Sequence, residues 1–495
     1  MPETYDIIII GGGVVGCMVA RFLSRYQLNT LLIEKEEDIG SVTSASNTAL
    51  IHPGYDPVVG SLKAKMNVAA VSMWPQLAQE LQFPYDRSGD YVVAIGNEEL
   101  PKLDSLMQRG KANGVSGLHL LDGDEVRRRE PFINPLVSGA LYAETGAMVD
   151  PFAATIAAAE NAVMNGVTIL RETEFLDFII EQNRIVAVKT TRGDFGCRWA
   201  INAAGLYSDV VMHKVGIRPE FKITPRKGEY LILDRTEFQL KSVYFPVPSD
   251  VTKGIMATAT VHGNTVLGPT AKDQEDKLDK TNTADGLNEA LTGGRKLVPV
   301  VDPRHVIATF AGLRAAGNAP CDTPGVDYHH DFIVEIPDQV QGFVNLGGIE
   351  SPGLTASPAI AQRVIDLLID AGEKLIEKPD WNPIRPARPR FRHMSHAERQ
   401  EVIKRDERYG RIVCRCETVT EGEIIAEIHS PVPARSYDAI KRRTWLGTGR
   451  CQGGFDMPRV THILARELGI SELEVSKKGK GSEFLSRTTK DMDNG

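Results

Sequence analysis

Hydrophobic and polar positions follow two spacings along the first ~370 residues, one typical of strands and the other of helices. Near the N-terminus, the apolar runs DIIIIGGG and NTLLIEK flank VVGCMVARFLSRYQ, in which apolar residues recur at helical spacing. This order predicts a compact β-α-β unit. Later, FVNLGGIESPGLTASPAIAQRVIDLLIDAG repeats the order of strand, glycine-rich turn and long helix, and mixed strands and turns fill the chain between.

The repeated order predicts an α/β region over residues 1–375, in which a Rossmann-like domain is discontinuous. The segments expected to form this domain are about 1–85, 145–220 and 335–375. The segments between them are expected to form an inserted substrate domain of mixed α+β structure.

The chain beyond residue 375 changes in composition. Residues 376–410 are rich in proline and basic side chains, which predicts a linker. Residues 411–475 contain three of the six cysteines and are predicted to form a small helical domain. Residues 476–495 are predicted to form a polar tail.

Composition restricts the function classes. A chain of 495 residues exceeds what one core usually supports, so more than one domain is expected. The net charge of −8 argues against nucleic-acid binding. No stretch reaches the roughly 18 apolar residues of a spanning helix, and no secretory signal is evident. We therefore expect a cytoplasmic protein, with any membrane contact peripheral and at the inner face.

The glycines of GGGVVG have the spacing of a dinucleotide-binding turn. Gly11 permits the tight turn, Gly13 lets the backbone approach a pyrophosphate, and Gly16 lets the helix pack closely on the strand. Glu34 ends the second strand, where a carboxylate can bind ribose hydroxyls. The motif predicts a dinucleotide but does not separate FAD from NAD.

Two later stretches favour FAD. INAAGLYSD (201–209) and LGGIESPGLTASPAI (346–360) resemble motifs of the D-amino-acid-oxidase-like group of FAD-dependent oxidoreductases, and no second dinucleotide motif is apparent. The motif and the resemblance together imply these cofactor-binding residues: Gly11, Gly13, Val14, Val15, Gly16, Glu34, Lys35, Thr43, Ser44, Ser46, Asn47, Ala204, Gly205, Gly348, Gly353, Leu354 and Thr355.

Further motifs, NTALIHPGYDP, PRKGEYLIL, FAGLRA and ESPGLTASPAI, resemble the type 2 glycerol-3-phosphate oxidase and dehydrogenase line over roughly residues 1–380. The resemblance implies oxidation of sn-glycerol 3-phosphate to dihydroxyacetone phosphate. It implies His52 as the base, Arg314 as a ligand of the substrate anion, and Lys253 and Ser351 at the border of the pocket. A histidine suits the removal of a hydroxyl proton, and a guanidinium suits phosphate binding.

Several alternatives remain open at this stage. His52, Lys253 and Arg314 have structural interpretations, as a packed histidine, a solvated lysine and an ion-pair partner. Glu350 stands where the related oxidases carry lysine, which would weaken anion binding or alter oxygen reactivity. The substrate would then be another anionic 2-hydroxy acid, such as L-2-hydroxyglutarate, or an amine. A non-catalytic electron-transfer flavoprotein is the alternative of a different class.

The late cysteines form a second motif. Cys414 and Cys416, followed by Cys451 and, after four intervening residues, by Asp456, resemble the bacterioferritin-associated-ferredoxin-like (BFD-like) [2Fe-2S] domain of related flavoenzymes. The resemblance implies four metal ligands, although four thiolates are usual and Asp456 offers oxygen. The domain is expected either to bind the cluster, to retain only the helical fold, or to bind zinc. A bound cluster implies a quinone or protein carrier as electron acceptor; the sequence does not indicate an oligomeric state.

Overall fold

The computed structural model of the chain describes residues 3–236, 238–248 and 254–487. Its strands are β1 (Thr4–Ile10), β2 (Thr30–Ile33), β3 (Leu50–Ile51), β4 (Tyr85–Asp86), β5 (Asp90–Ile95), β6 (Leu118–Asp122), β7 (Val137–Ala143), β8 (Ala147–Val149), β9 (Thr168–Leu170), β10 (Phe175–Glu181), β11 (Arg184–Thr190), β12 (Gly193–Asn202), β13 (Ile223–Leu233), β14 (Val243–Pro246), β15 (Met256–Ala259), β16 (Thr265–Gly268), β17 (Lys272–Asp273), β18 (Val306–Gly317), β19 (Ile333–Glu335), β20 (Phe343–Gly347), β21 (Ile412–Cys414) and β22 (Val419–Thr420). Its α-helices are α1 (Val14–Leu23), α2 (Leu62–Val71), α3 (Trp74–Leu81), α4 (Leu100–Ala112), α5 (Gly123–Arg129), α6 (Pro151–Met164), α7 (Ser208–His213), α8 (Ala284–Leu297), α9 (Gly353–Asp370), α10 (His396–Arg405), α11 (Glu421–Ile428), α12 (Tyr437–Thr444) and α13 (Met457–Leu468).

The first sheet has the expected Rossmann-like arrangement. Its strand order is β10-β11-β12-β1-β2-β9, with β20 beside β12 and β19 beside β20. The central strands β9, β2, β1, β12 and β20 run parallel. Ile7 and Ile9 of β1 face a core shared with α1, α6 and α9, whereas Ile8 and Ile10 face the core on the other side. Because both faces are covered, β1 is a continuous apolar run, which is typical of parallel sheets.

The strands of this sheet come from three separate stretches of the chain, as the sequence predicts for a discontinuous domain. The fold class is confirmed. The exact domain boundaries stay a prediction.

The second, mixed sheet has the order β17-β13-β16-β15-β14-β5-β7-β6, with β18 also beside β13. The long antiparallel ladder of β13 and β18 pairs Ile223 with Gly317 at one end and Leu233 with Val306 at the other. Within this ladder Arg226 lies opposite Arg314. Helix α8 packs on β13 and β16, so the sheet has its own core and presents the two arginines from a rigid surface.

The C-terminal unit is mainly helical. The short β21–β22 hairpin leads into α11, which begins with a capping box between Thr420 and Glu423. Helices α11, α12 and α13 share a core that includes Ile424, Ile440 and Leu464. This unit therefore has a hydrophobic core separate from those of the two sheets.

Arginines join the segment 376–410, the predicted linker, to the units on either side. Arg385 and Arg388 form ion pairs with Glu160 on α6, and Arg388 also pairs with Glu427 on α11. Both carboxylates are buried, and the segment contains the helix α10. Of the predicted tail, residues 488–495 lie outside the described part. Among the helices that the structure describes, none is long and apolar enough to cross a membrane.

Candidate active site and cysteine site

The turn between β1 and α1 is built for close backbone contacts. Gly11 has a φ of 113°, and a Cβ there would lie 2.5 Å from the carbonyl oxygen of Ala203. A Cβ at Gly16 would lie 2.0 Å from the oxygen of Gly11, so α1 can approach the turn only with glycine at this position. Val14 at the helix start donates its N–H to Ser44 Oγ (2.9 Å). The turn thus leaves room for a phosphate at a helix N-terminus.

Glu34 lies beside this turn at the end of β2. Its Oε2 accepts the N–H of Gly12 (2.7 Å), and its Oε1 accepts the N–H of Glu36 (2.9 Å). Burial raises the pKa of Glu34 above its usual value, although the two N–H donors act in the opposite direction. The carboxylate is therefore fixed in the wall of the neighbouring cavity, where it can accept further hydrogen bonds from ribose hydroxyls.

A cavity of about 790 Å³ extends from the glycine turn to the second sheet. The predicted cofactor residues that line it are Gly11, Gly13, Val14, Val15, Glu34, Lys35, Thr43, Ser44, Ser46, Asn47, Ala204, Gly205, Gly353, Leu354 and Thr355. Gly16 and Gly348 lie behind its wall; Gly348, with a φ of 65°, lies next to Asp331 and Gly317. The cavity and the glycine turn together fit an extended dinucleotide.

His52 projects from the segment after β3, and its main chain is held at two points. Its N–H donates to Thr355 Oγ1 (2.9 Å), and its carbonyl oxygen accepts from Asn67 Nδ2 (2.8 Å). Its ring lies 5.8 Å from that of Phe245, centroid to centroid. Since Thr355 lies in the first turn of α9, these contacts fix the predicted base relative to the glycine-rich turn before α9.

Lys63, Arg226 and Arg314 lie in the wall of the cavity that His52 also lines, and the first two have carboxylate partners. Lys63 Nζ is 3.0 Å from Glu350 Oε1, and Arg226 binds both carboxylate oxygens of Asp273 (2.7 and 3.1 Å). Arg314 differs, because Nη2 donates to the Thr270 carbonyl (2.9 Å) and Nε to the Arg226 carbonyl (3.5 Å). Among the described residues no carboxylate forms an ion pair with Arg314.

The Lys63–Glu350 pair concerns the position at which this chain has glutamate and the related oxidases have lysine. Burial alone would raise the pKa of Glu350, but Lys63 lowers it below its usual value. Burial alone would lower the pKa of Lys63, but Glu350 raises it. Both groups are therefore charged and offset each other, and Tyr328 accepts a further hydrogen bond from Lys63 (3.0 Å). The charge of the Glu350 carboxylate is therefore offset by that of Lys63.

Sequence reasoning missed Lys63, Arg226 and Tyr328. Arg226 lies in the quoted motif PRKGEYLIL, and its alignment opposite Arg314 is the signal that a strand-pairing argument could have found. Lys63 lies on α2 within an unremarkable polar stretch, so no local signal indicates it. Ser351 lines the cavity, and its role toward the substrate stays a prediction; Lys253 lies outside the described residues.

The predicted cluster ligands converge in the C-terminal unit. Cys416 Sγ lies 3.6 Å from Cys414 Sγ and 3.5 Å from Cys451 Sγ. Two thiolates on one tetrahedral metal ion, with metal–sulfur bonds of about 2.3 Å, would lie about 3.8 Å apart. The Asp456 side chain is buried; its Oδ1 accepts from the Tyr437 hydroxyl (2.6 Å), and its Oδ2 has no hydrogen-bond partner in the described structure.

The donor set fits a two-iron cluster. In residues 3–236, 238–248 and 254–487, no group of three or more His, Cys, Asp and Glu side chains is arranged to hold one metal ion. Cys416 lies in contact with both other sulfurs, and cysteine thiolates are the usual ligands of a [2Fe-2S] cluster. The buried oxygen without a partner on Asp456 is the fourth candidate donor.

The glycine turn, the large cavity and the cations around His52 define the class, a dinucleotide-dependent enzyme for a small anionic substrate with an appended cysteine domain. Residues 6–367 match the FAD dependent oxidoreductase family, and residues 412–466 match the BFD-like [2Fe-2S] binding domain. The chain belongs to the family of FAD-dependent oxidoreductases, its cofactor is FAD as predicted, and its C-terminal domain is BFD-like.

Relatives agree with this assignment. A glycerol 3-phosphate dehydrogenase from Caloramator mitchellensis is 43% identical over 98% of this chain and 99% of its own length. A glycerol 3-phosphate oxidase from Mycoplasma genitalium is 34% identical over 77% of this chain and 98% of its own. The FAD-bound L-α-glycerophosphate oxidase from Mycoplasma pneumoniae superposes with a TM-score of 0.72 at 32% identity, covering 78% of this chain and 100% of that structure.

Proposed function

We propose that the protein oxidises sn-glycerol 3-phosphate to dihydroxyacetone phosphate and passes the electrons through its C-terminal domain to a protein carrier, with a quinone as the alternative acceptor. The observation that carries this proposal is Arg314, which is held by two carbonyl oxygens and has no carboxylate partner among the described residues. The similar proteins named as glycerol 3-phosphate dehydrogenase and oxidase support the same substrate.

The charge balance of the pocket favours a substrate with one anionic end. Lys63 and Arg226 form ion pairs with Glu350 and Asp273, whereas Arg314 forms no ion pair with a carboxylate of the described wall. Its guanidinium has five N–H donors, of which two bind carbonyls, so others remain for phosphate oxygens. L-2-hydroxyglutarate would bring a second carboxylate, for which the described wall offers no second uncompensated cation.

His52 is proposed to take the proton of the substrate hydroxyl. A neutral imidazole accepts a proton near physiological pH, and the two main-chain hydrogen bonds hold this residue in a fixed place. The bound FAD supplies the acceptor for the hydride that leaves the carbinol carbon. Arg314 binds the phosphate end and so orients the carbinol toward His52, which is the positioning that such a reaction requires.

Cys414, Cys416, Cys451 and Asp456 are proposed as the four cluster ligands. The carboxylate of Asp456 is oriented by Tyr437 through Oδ1, which leaves Oδ2 for iron. Tyr437→Phe would remove the hydroxyl that orients the Asp456 carboxylate while keeping the aromatic ring. Iron and acid-labile sulfide content, with electron paramagnetic resonance (EPR) on anaerobically purified protein, tests the ligand set. Absence of iron in the wild-type protein would contradict it.

The surface over the cysteine site supports a protein as acceptor. Phe455, between Cys451 and Asp456, is 88% exposed. Arg415, between Cys414 and Cys416, is exposed and forms no hydrogen bond or ion pair with another described residue. An exposed aromatic side chain and an exposed arginine, each next to or between predicted cluster ligands in the sequence, are residue types enriched at docking surfaces, and the arginine would pair with an acidic group of the partner.

The acceptor is tested by electron transfer to an acidic flavodoxin, to basic cytochrome c and to a water-soluble quinone. Phe455→Ala and Arg415→Glu should slow reduction of flavodoxin and leave reduction of the small quinone unchanged. Equal rates with flavodoxin in wild-type and variant proteins would contradict a docking role for this surface. Co-sedimentation of the protein with anionic lipid vesicles would instead support membrane docking and a quinone.

The substrate is tested by comparing steady-state kcat/KM for sn-glycerol 3-phosphate, L-2-hydroxyglutarate and sarcosine with an artificial electron acceptor. We expect the phosphate ester to be preferred. A preference for L-2-hydroxyglutarate would contradict the charge-balance reasoning, and no turnover with any of the three would favour a non-catalytic electron-transfer role.

A further inference from the structure

We propose that Trp445 mediates electron transfer from the flavin cavity to the cysteine site. This proposal rests on the proposed function, in which the C-terminal domain receives the electrons of the oxidation. The argument uses the side chains that surround Trp445 and the hydrogen bonds that continue from it in both directions.

Trp445 lies where three parts of the protein meet. It follows α12 in a left-handed conformation with a φ of 64° and comes from the cysteine-bearing unit. Its Nε1 donates to Asp150 Oδ2 (2.7 Å), at the start of α6 in the flavin-binding part. Its ring is 3.7 Å from that of His262, which precedes β16 of the second sheet, and 5.9 Å from that of Phe152. The indole is therefore held on several sides.

Asp150 holds the Trp445 indole in place by accepting its hydrogen bond with an ionised carboxylate. Its Oδ1 caps α6 by accepting the N–H of Ala153 (2.9 Å), and its Oδ2 also lies 3.1 Å from His262 Nε2. Burial alone would raise the pKa of Asp150, but the hydrogen bonds from His262, Ala153 and Trp445 lower it below its usual value. The carboxylate therefore stays ionised, and hydrogen bonds to an ionised acceptor are the stronger kind.

On the cavity side the connection passes through β8. Asp150 directly follows Val149, the last residue of β8, whose N–H donates to the carbonyl oxygen of Ala49 (2.9 Å). The neighbours of Ala49 on either side, Thr48 and Leu50, both line the cavity. Only one hydrogen bond thus separates the segment that lines the cavity from β8, which Asp150 directly follows.

On the cluster side the connection is shorter. Two residues after Trp445, the N–H of Gly447 donates to Cys414 Sγ (3.4 Å). Cys414 is the fully buried cysteine of the three, whereas Cys416 and Cys451 are partly exposed. Electrons that enter at Cys414 would therefore cross the cluster toward its exposed side, where Phe455 and Arg415 lie.

Three hydrogen bonds and otherwise covalent bonds join the cavity wall to Cys414. Electronic coupling decays more slowly through covalent and hydrogen bonds than through space. An aromatic ring in the path reduces the number of saturated bonds that the electron must cross. A competing path follows β13 from Tyr230, in the cavity wall, to Asp234, which pairs with Arg450 next to Cys451. That path spans roughly 14 Å of strand alone and then uses an arginine whose side chain is 63% exposed.

The electrons and protons balance as follows. Oxidation of the alcohol releases two electrons and two protons; the hydride carries both electrons and one proton, and His52 takes the other proton. The two electrons leave the flavin site in two single-electron transfers, and the acceptor removes each from the cluster before the next arrives. The proton that came with the hydride and the proton on His52 return to solvent.

The test uses Trp445→Phe, which keeps a ring but removes the Nε1 donor, and Trp445→Leu, which removes the ring. Flavin is reduced under anaerobic conditions by sn-glycerol 3-phosphate or, independently of substrate, by light with deazaflavin. Absorbance follows flavin reduction, and freeze-quenched EPR follows the cluster signal. We expect unchanged flavin reduction by substrate and a several-fold slower appearance of the cluster signal in Trp445→Phe, slower still in Trp445→Leu.

Trp381→Phe is the matched control, because this indole also donates one hydrogen bond, to Ser24 Oγ (3.2 Å), but lies away from the cysteines. Asp150→Asn is the second variant: asparagine still caps α6, and its single amide oxygen cannot serve both Ala153 and Trp445. It should slow the cluster signal as Trp445→Phe does. An unaltered EPR line shape at full reduction and an unaltered unfolding midpoint separate this effect from loss of the cluster or the fold.

Cluster signals that appear at the Trp381→Phe rate in both Trp445 variants would overturn the proposal. So would slowing by Arg450→Gln alone, which would assign the transfer to the β13 path. Absence of iron from the wild-type protein would also overturn it, but would leave the substrate assignment standing. Failure of sn-glycerol 3-phosphate to reduce the flavin, with normal transfer after light reduction, would contradict only the proposed substrate.

Discussion

Replacing Arg314 by glutamine should weaken use of sn-glycerol 3-phosphate while leaving the fold and the oxidation chemistry in place. Glutamine keeps a polar side chain that can still donate to the Thr270 carbonyl, but it removes the charge. A hydrogen bond to a charged group contributes about 1.5–3 kcal/mol. Because about 1.4 kcal/mol corresponds to a factor of ten, loss of one such bond to phosphate predicts a fall in kcat/KM of roughly 10- to 150-fold.

The assay is anaerobic flavin reduction measured by stopped flow over a range of substrate concentrations. The contact between Arg314 and the phosphate is present both before and during hydride transfer. Its loss should therefore raise the apparent Kd and change the limiting rate of flavin reduction less. Glycerol, which lacks the phosphate, is the matched substrate, and the rate at which it reduces the flavin should change little or not at all in Arg314→Gln. Arg304→Gln, at an arginine that is 84% exposed and pairs with Asp302, is the matched variant.

An equal loss of activity with glycerol and with the phosphate ester would refute the reasoning. Such a loss would point to a general defect of the enzyme and not to loss of a contact with the phosphate. An Arg314→Gln protein with wild-type kinetics would refute it as well. The phosphate would then be bound by groups other than the Arg314 guanidinium.

Three further variants test other parts of the account. His52→Asn should lower the limiting rate of flavin reduction by about 10²- to 10⁴-fold, the usual contribution of a general base, with an unchanged FAD content; normal reduction would remove the base assignment. Gly16→Ala should lower the FAD content and the unfolding midpoint, since its Cβ would lie 2.0 Å from a backbone oxygen; a protein with full FAD would contradict this. Asp38→Asn should destabilise the protein by about 3–5 kcal/mol, the usual cost of breaking a buried ion pair, because it leaves Arg443 buried without its carboxylate. Burial alone would raise the pKa of Asp38, but the Arg443 and Arg442 guanidinium groups lower it below 3.8. The stability that the Asp38 carboxylate contributes is therefore complete above about pH 3.8 and is lost as the pH falls further. Urea unfolding of the two proteins should differ most near neutral pH, and a difference that grew in acid would contradict the assignment.

Features encoded in short stretches were predictable from the sequence. The turn needs glycine at Gly11 and Gly16 for local reasons, since a Cβ there would meet a backbone oxygen of Ala203 or of the same turn. The apolar run of β1 follows from burial on both faces, and the three cysteines with Asp456 have a spacing that identifies the domain. In each case the physical requirement acts within a few residues and so leaves a readable pattern.

Contacts between distant elements were not predictable in this way. Lys63 and Glu350 come from α2 and from the turn before α9, and neither stretch shows that the other will neutralise it. The sequence therefore suggested that Glu350 would disturb anion binding, whereas the structure pairs it. Trp445, Asp150 and His262 come from three parts of the chain that meet only after folding. Such contacts depend on how sheets and helices pack, which residue patterns do not specify.

The most direct test of the central claim is the anaerobic absorbance spectrum of the purified protein during addition of sn-glycerol 3-phosphate, with dihydroxyacetone phosphate measured in the same sample. We expect the flavin band to bleach and the ketone to appear in at least the amount of flavin reduced, any excess being matched by the electrons held in the cluster. A flavin band unchanged by sn-glycerol 3-phosphate but bleached by L-2-hydroxyglutarate would contradict the account.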